Sequence, residues 1–308
     1  MTAASIPATS LRGNPRRRGP ERIVHGLFFG AALGSVLISV LIVASLLGGA
    51  IDFLRIVDLG KLVADGWYPR RDEFDLATLI VGSFIVTFIA TLVAVPVGLL
   101  AAIYLSEYAN RRARSVIKPI LEILAGIPSV VIGFFALTWI SPNVVQLFNP
   151  KANDFSLLAA GLGVGVLTIP LIASISEDSM RAVPTALREA SYGLGARRMT
   201  TSLRIVVPAA ISGIVASVIL GVSRAIGETM VVAVAAGGSG GSQFTANPFE
   251  PGQTITAAMA ALATGTDQVV GSTAAFQSLF FLGLVLFILT LVFNQLGELV
   301  VRRTRQIY

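Results

Sequence analysis

Six long apolar runs dominate this sequence, at about Leu27 to Ile51, Leu76 to Leu105, Ile117 to Ile140, Ser156 to Ser176, Val206 to Ala236 and Ala274 to Val300. A hydrocarbon layer roughly 30 Å thick takes about 20 helical residues to cross, and each run reaches that length. In lipid a segment must satisfy its own backbone hydrogen bonds, so runs of this kind cross as helices. The expected fold class is an all-α polytopic membrane protein with six transmembrane helices in one bundle. Composition agrees, since 54% of residues are hydrophobic and only 13% charged, too apolar for an ordinary soluble domain.

Basic residues set the expected orientation. Arg12, Arg16, Arg17, Arg18 and Arg22, then Arg111, Arg112, Arg114 and Lys118, then Arg181, Arg188, Arg197, Arg198 and Arg204, then Arg302, Arg303 and Arg305 fall on one side of the predicted spans. Arg55, Lys61, Arg70, Arg71 and Lys151 fall on the other, and Arg224 lies inside a run. Positive charge is retained on the cytoplasmic side, so both termini are expected there. The formal net charge of +6 reads as this topology and not as nucleic-acid affinity. Residues 1–22 read as a disordered basic cytoplasmic tail. Residues 23–308 read as the transmembrane domain, whose first run is longer than the ~7–15 apolar residues of a signal core and is expected to stay as an anchor.

Several chemistries are excluded. There is no cysteine, hence no disulfide, thiolate metal site or cysteine nucleophile. The one histidine, His25, opens the first run beside Arg22 and reads as a solvated interfacial side chain. Neither G-x-x-x-x-G-K-[ST] nor H-E-x-x-H occurs, so neither a nucleotide-binding loop nor a zinc-protease helix marks an enzyme. No cofactor or metal is expected on this chain.

Finer expectations attach to single residues. Pro96 predicts a kink in the second span, and Trp67 with Tyr68 suits an aromatic belt at the membrane interface. Glu122 falls about one turn inside the third span, followed by Gly126-Ile127-Pro128-Ser129, which marks either a broken helix lining a pathway or a packing kink. Gly161, Gly163 and Gly165 predict close helix contacts. The segment from Gly237-Gly238-Ser239-Gly240-Gly241-Ser242 onward reads as a flexible gate or docking surface, with Ile255 to Ala263 a short helix at the outer face.

The stretch from Glu189 to Met230 carries the functional reading. Glu189-Ala190-Ser191 and Gly195 lie in a predicted loop, 177–205, that leads into Ile205-Val206-Val207-Pro208, and Gly193 and Gly195 predict two short helices meeting at a bend, a knob that a partner could grip. Beyond Pro208 the chain turns apolar, and Arg224 and Glu228 then stand four residues apart, on one face if the helix is continuous. Arg224 would lie roughly 24 Å along that helix. An arginine at mid-membrane costs about 2.5–3.5 kcal/mol and is usually functional. Its fork of donors suits a tetrahedral oxyanion, with Glu228 orienting it when the site is empty; a structural salt bridge is the other reading.

Glu189-Ala190-Ser191, Gly195, Ile205 and Pro208 resemble the E-A-A, G, I-x-L-P loop of the membrane subunits of binding-protein-dependent ABC importers, with Ser191 and Val207 as departures. Ser223-Arg224-Ala225-Ile226-Gly227-Glu228-Thr229-Met230, Gly126-Ile127-Pro128-Ser129-Val130-Val131 and Ala102-Ile103-Tyr104-Leu105-Ser106-Glu107-Tyr108 are similar to the phosphate permeases of the PstC family. That resemblance implies a type I importer permease bundle forming half of a phosphate path. It implies a PstA-like second permease, a PstB-like ATPase dimer supplying ATP and Mg chemistry, and a PstS-like phosphate-binding protein. It also implies that Glu189, Ala190, Ser191, Gly195, Ile205 and Pro208 couple to the ATPase, and that Arg224, Glu228 and, more weakly, Ser129 line the substrate path. Physical reasoning alone leaves a sulfate or molybdate permease, or an ion-coupled secondary transporter, open.

Overall fold

The computed structural model describes residues 18–63, 66–237, 241–265 and 273–304. Residues 1–17 of the expected tail and residues 238–240 of the glycine-rich segment lie outside them. The chain divides after Gly48 into two units. The first is the apolar helix α1, Arg18–Ile56, up to Gly48; helix therefore already includes Arg18 to Arg22, which the sequence reading had placed in the tail.

The second unit begins with the end of α1 and a small antiparallel sheet, strand order β2-β1-β3, of β1 (Gly66–Tyr68), β2 (Glu73–Phe74) and β3 (Ser242–Gln243). Trp67 is no belt residue. It is fully buried, edge-on to Phe74 with ring centroids 5.5 Å apart, in a core that also holds Phe53, Leu79, Ile255 and Leu282. Asp75 then caps α2 (Leu76–Ile103), its carboxylate accepting from the amides of Ala77 and Thr78, two of the donors a helix start leaves unpaired. Helix α2 runs through Pro96 and continues into a π-helical turn, Tyr104–Tyr108; such turns often sit at functional sites.

The third span differs most from expectation. Asn110 caps α3 (Arg111–Gly126), which has four basic residues and Glu122 in sixteen positions and no buried residue. The break at Ile127-Pro128 separates it from α4 (Ser129–Phe135), which continues through a π-helical stretch into α5 (Gln146–Phe148). The apolar span is thus Ser129–Phe148 and not Ile117 to Ile140, because charge keeps α3 amphipathic and the proline lets the chain turn after it.

Ser156 caps α6 (Leu157–Arg181), the most buried of the long helices. Gly161 and Gly165 face α2, where an added Cβ would meet Ile89 Cβ at 2.7 Å and the Ala90 carbonyl at 3.2 Å; Gly163 faces the other way, toward Ala136 and Val231. Small residues let these backbones approach, as the glycine spacing predicts. Because α6 extends to Arg181, residues 177–181 belong to this helix and not to the predicted loop.

Helix α7 (Thr185–Gly193) and α8 (Arg198–Thr201) follow, then a π-helical turn, α9 (Val207–Ala209) and α10 (Ile211–Ile226), with a 71° bend before α10. Helix α11 (Met230–Ala235) packs on α4. The expected continuous span Val206 to Ala236 is therefore bent at Ala210 and broken at Gly227-Glu228-Thr229. Residues 241–254 are tied down and not a free gate: the amides of Leu157 and Leu158 donate to the carbonyls of Glu250 and Pro248 at 3.1 and 2.8 Å. Hydrogen bonds from Thr245 and Asn247 hold the Glu250 carboxyl below its ordinary pKa. Helix α12 (Ile255–Ala263) forms as expected, but its first four residues are buried, with the Ile255 amide donating to Ser83 Oγ at 3.1 Å. Helix α13 (Thr273–Thr304) closes the described chain. Among the described residues five helices are long and apolar enough to cross a membrane, six if the bent pair counts as one span.

Candidate functional site

Two places concentrate the polar chemistry. The first is the segment between α6 and α10. Helices α7 and α8 meet at Gly195, whose φ of +78° is the left-handed region that glycine enters without a Cβ penalty. A Cβ there would find nothing within 4 Å, so the backbone and not crowding selects glycine. The bend is closed by the Ser191 Oγ and Thr201 Oγ1 contact at 2.9 Å. Ser191 thus bonds one short helix to the other, which an alanine could not do. Glu189, Ala190 and Pro208 are exposed and Ile205 half-buried. Leu194 is 89% exposed, with Tyr192, Met199 and Leu203 exposed nearby in the chain, which makes the bend an apolar knob without a partner inside the described chain.

This knob is bolted to the helices above it by groups that sequence reasoning missed. Arg188 Nη2 donates to Glu107 Oε1 at 2.9 Å and to the Met180 carbonyl at 2.8 Å, and Nη1 donates to the Val183 carbonyl at 2.7 Å. Glu107, on the π-helical turn, has a side chain only 4% exposed. Arg198 of α8 lies over the Tyr108 ring of the same turn, 5.1 Å from its centre. Both short helices therefore touch the end of α2. A carboxylate closing an apolar run demands a cation, but nothing in the sequence says that the cation lies 81 residues away.

The second place surrounds Arg224. Helix α10 ends at Ile226, so Arg224 and Glu228 do not share a helix face, and they form no ion pair among the described residues. The expected pair is replaced by two separate roles. Glu228 stands at the start of α11, its carboxylate 3.5 Å from the Val231 amide, and its carbonyl accepts from Thr256 Oγ1 at 2.8 Å. Arg224, in the last turn of α10, lines a cavity of about 180 Å³ with Lys118, Glu122, Leu167, Pro170 and Glu177. Because α10 starts after the bend, Arg224 is thirteen residues from Ile211, roughly 20 Å of helix, and the straight-helix depth does not apply. Ser129, first in α4, follows the other helix break but is not part of this cavity's lining. Glu177 is buried and ion-paired to Arg114, with Lys118 Nζ at 3.8 Å.

Known proteins agree with this architecture. The chain is similar to the phosphate transport system permease protein PstC of Xylella fastidiosa (strain 9a5c), 31% identical across 98% of each chain. It is also similar to the phosphate transport system permease protein PstC 1 of Mycobacterium tuberculosis (strain ATCC 25618 / H37Rv), 32% identical over 79% of this chain and 77% of that one. The probable ABC transporter permease protein YqgH of Bacillus subtilis (strain 168) is 38% identical over 63% of each chain. Among solved structures, a bacterial ABC transporter involved in the import of the acidic polysaccharide alginate aligns with TM-score 0.64 at 14% identity, over 94% of this chain and all of that one. The inward-facing MetNI methionine ABC transporter aligns with TM-score 0.53 at 19% identity, over 74% and 94% of the two chains. Residues 94–306, which contain the knob, both helix breaks and Arg224, match the family of binding-protein-dependent transport system inner membrane components, and the chain belongs to that family as a multi-pass membrane permease.

Proposed function

We propose that this chain is the permease subunit of an ATP-driven phosphate importer, pairing with a second, PstA-like permease. Drawing an anion into a cell against an inside-negative potential costs about 2.3 kcal/mol per charge per 100 mV. The sequence carries no nucleotide-binding motif, so the drive comes from ATP and Mg on a PstB-like ATPase dimer. A PstS-like protein delivers phosphate from the outside. Positive charge near the α7–α8 segment and in the last turn of α13 supports termini and knob on the cytoplasmic side. There the exposed Leu194, Glu189, Ala190 and Pro208 engage the ATPase, with Gly195 making the bend and Ser191 and Ile205 supporting it.

The observation that carries the reading is Arg224, a guanidinium lining a cavity at the end of a broken helix and unpaired with Glu228. Full-length relatives named as phosphate permeases support phosphate as the anion. Glu228 acts in the path by holding the break in place. The test is reconstitution of the four-component assembly in vesicles, with labelled phosphate and with sulfate and molybdate as competitors. Phosphate uptake should need ATP, Arg224→Ala should abolish it at normal assembly, and Arg224→Lys should be intermediate because a point charge lacks the planar fork. Near-normal uptake by Arg224→Ala, or competition by sulfate as strong as by phosphate, would overturn the reading.

A further inference from the structure

We propose that the cavity between α3, α6 and α10 is a holding station for a protonated tetrahedral oxyanion, with Lys118 as its second cation beside Arg224 and Glu122 reading the proton. The proposal rests on the importer reading above and adds a residue set that no loop or helix motif in the chain marks.

Four ionisable side chains from three helices line this one cavity: Lys118 and Glu122 from α3, Glu177 from α6 and Arg224 from α10. Their charges are not all spoken for. Glu177, 1% exposed, is paired with Arg114, which lies outside the lining. Lys118 Nζ stands 3.8 Å from Glu177 and 3.7 Å from Asp178, beyond hydrogen-bond length. The ammonium is ion-paired to both carboxylates without a hydrogen bond to either, so an arriving anion competes with them for it. Arg224 makes no ion pair among the described residues. The rest of the lining includes Leu121, Leu167, Pro170 and Leu171, while Glu122 and Arg224 are exposed and so within reach of an arriving anion.

Glu122 supplies the discrimination. It stands one turn after Lys118 on the same face of α3, lines the same cavity and is not ion-paired with it. A carboxylate inside an anion site repels a fully deprotonated oxyanion, yet accepts a hydrogen bond from an oxyanion that keeps a hydroxyl. Phosphate keeps at least one O–H at neutral pH, whereas sulfate has none. A site that bonds a substrate hydroxyl rejects the analogue lacking it, because the site's own group is then left unpaired.

The chain has no cysteine, so Leu121→Cys, in the lining of the same cavity, creates a single thiol within this subunit for a negatively charged thiosulfonate reagent while leaving Lys118 in place. In the complete transporter in nanodiscs, with its other subunits free of reactive thiols, inorganic phosphate should slow modification of that thiol and sulfate should not. With Glu122→Gln added, sulfate should become protective. In vesicles Lys118→Gln should lower phosphate moved per ATP hydrolysed by about tenfold, the loss of one charged ligand being worth roughly that factor in affinity. Lys118→Arg, and Lys118→Cys after treatment with an aminoethylating reagent, should recover most of it. Wild-type stoichiometry in Lys118→Gln, or a thiol that phosphate fails to protect, overturns the station; equal protection by sulfate in the parent overturns the role of Glu122. Failure of the phosphate reading looks different, since the unmodified transporter then carries another anion and that anion protects the thiol.

Discussion

Breaking the Arg188–Glu107 contact should separate what holds the permease together from what makes it move. Arg188 serves four acceptors at once, both carboxylate oxygens of Glu107 and two carbonyls at the end of α6, with its side chain 17% and that of Glu107 4% exposed. Arg188→Met strands a buried carboxylate whose remaining partner is Ser106 Oγ at 2.9 Å. Removing one member of such a pair costs about 3–5 kcal/mol, while two carbonyls lose donors worth roughly 1 kcal/mol each. Glu107→Gln is milder, since the arginine keeps both carbonyls, and about 1.5–3 kcal/mol is expected for the charge-assisted bond. Replacing both, Arg188→Met with Glu107→Leu, removes the stranded charge and should recover most of the stability. Transport should not recover, because α7 has then lost its polar bolt to α2 and α6. The assays are thermal unfolding of the purified assembly and, in vesicles, phosphate uptake alongside ATPase stimulation by the loaded binding protein. Full recovery of uptake together with stability in the double variant would falsify the mechanical role and leave the pair as architecture.

Other consequences can be read from single positions. Gly195→Val forces a β-branched residue to positive φ at roughly 1–2 kcal/mol without any clash; it should leave subunit abundance intact and lower ATPase association and uptake, with Gly195→Asn recovering much of both. Loss of abundance instead would mean that the bend serves folding alone. Gly161→Leu should destabilise the α2–α6 contact by about 1–3 kcal/mol, since even a Cβ would lie 2.7 Å from that of Ile89; an unchanged melting temperature would mean the helices are not packed this way. The Glu250 carboxyl titrates below its ordinary range when Thr245 and Asn247 bond it, so its contribution is complete above the unfolded pKa and lost as pH falls through the lowered one. Amide-exchange protection at Leu157 and Leu158, which donate to this loop, should decline in that acidic window and lose the dependence in Glu250→Gln. A decline of the same size in that variant would exclude the carboxylate as its cause.

How legible the chain was depended on the range of the interaction. Apolar length identified the long helices α1, α2, α6 and α13, because crossing hydrocarbon is a one-dimensional constraint. Alternate glycines identified close packing on α6, and the Gly193–Gly195 bend was legible because the backbone requirement is local. The third and fifth spans were misjudged for a common reason: hydropathy averages over a window, whereas Pro128 and Gly227 act at a point. A window that starts at Ile117 counts the apolar half of an amphipathic helix as membrane, and one that runs from Val206 to Ala236 passes over both the bend and the break. Trp67 was misread in a related way, since aromatic residues favour both interfaces and cores and only the partner, Phe74, decides between them.

The error about Arg224 and Glu228 bears most on mechanism. Four-residue spacing guarantees a shared face only while the helix continues, and α10 stops between the two. A continuous helix would let Glu228 neutralise Arg224 and would oblige an incoming anion to displace a carboxylate already in place. The break moves Glu228 to the start of α11, where a negative charge is favourable beside unpaired amides, and leaves the guanidinium to the cavity. A double variant, Arg224→Ala with Glu228→Ala, therefore has no stranded charge to relieve, and the two effects should add within about 0.5 kcal/mol as for residues without shared partners. Melting of the purified assembly with each single variant and the double one measures the coupling directly. Coupling of 2 kcal/mol or more would be of the size found between residues in direct contact, and would mean that the two charges meet in the working transporter despite the break.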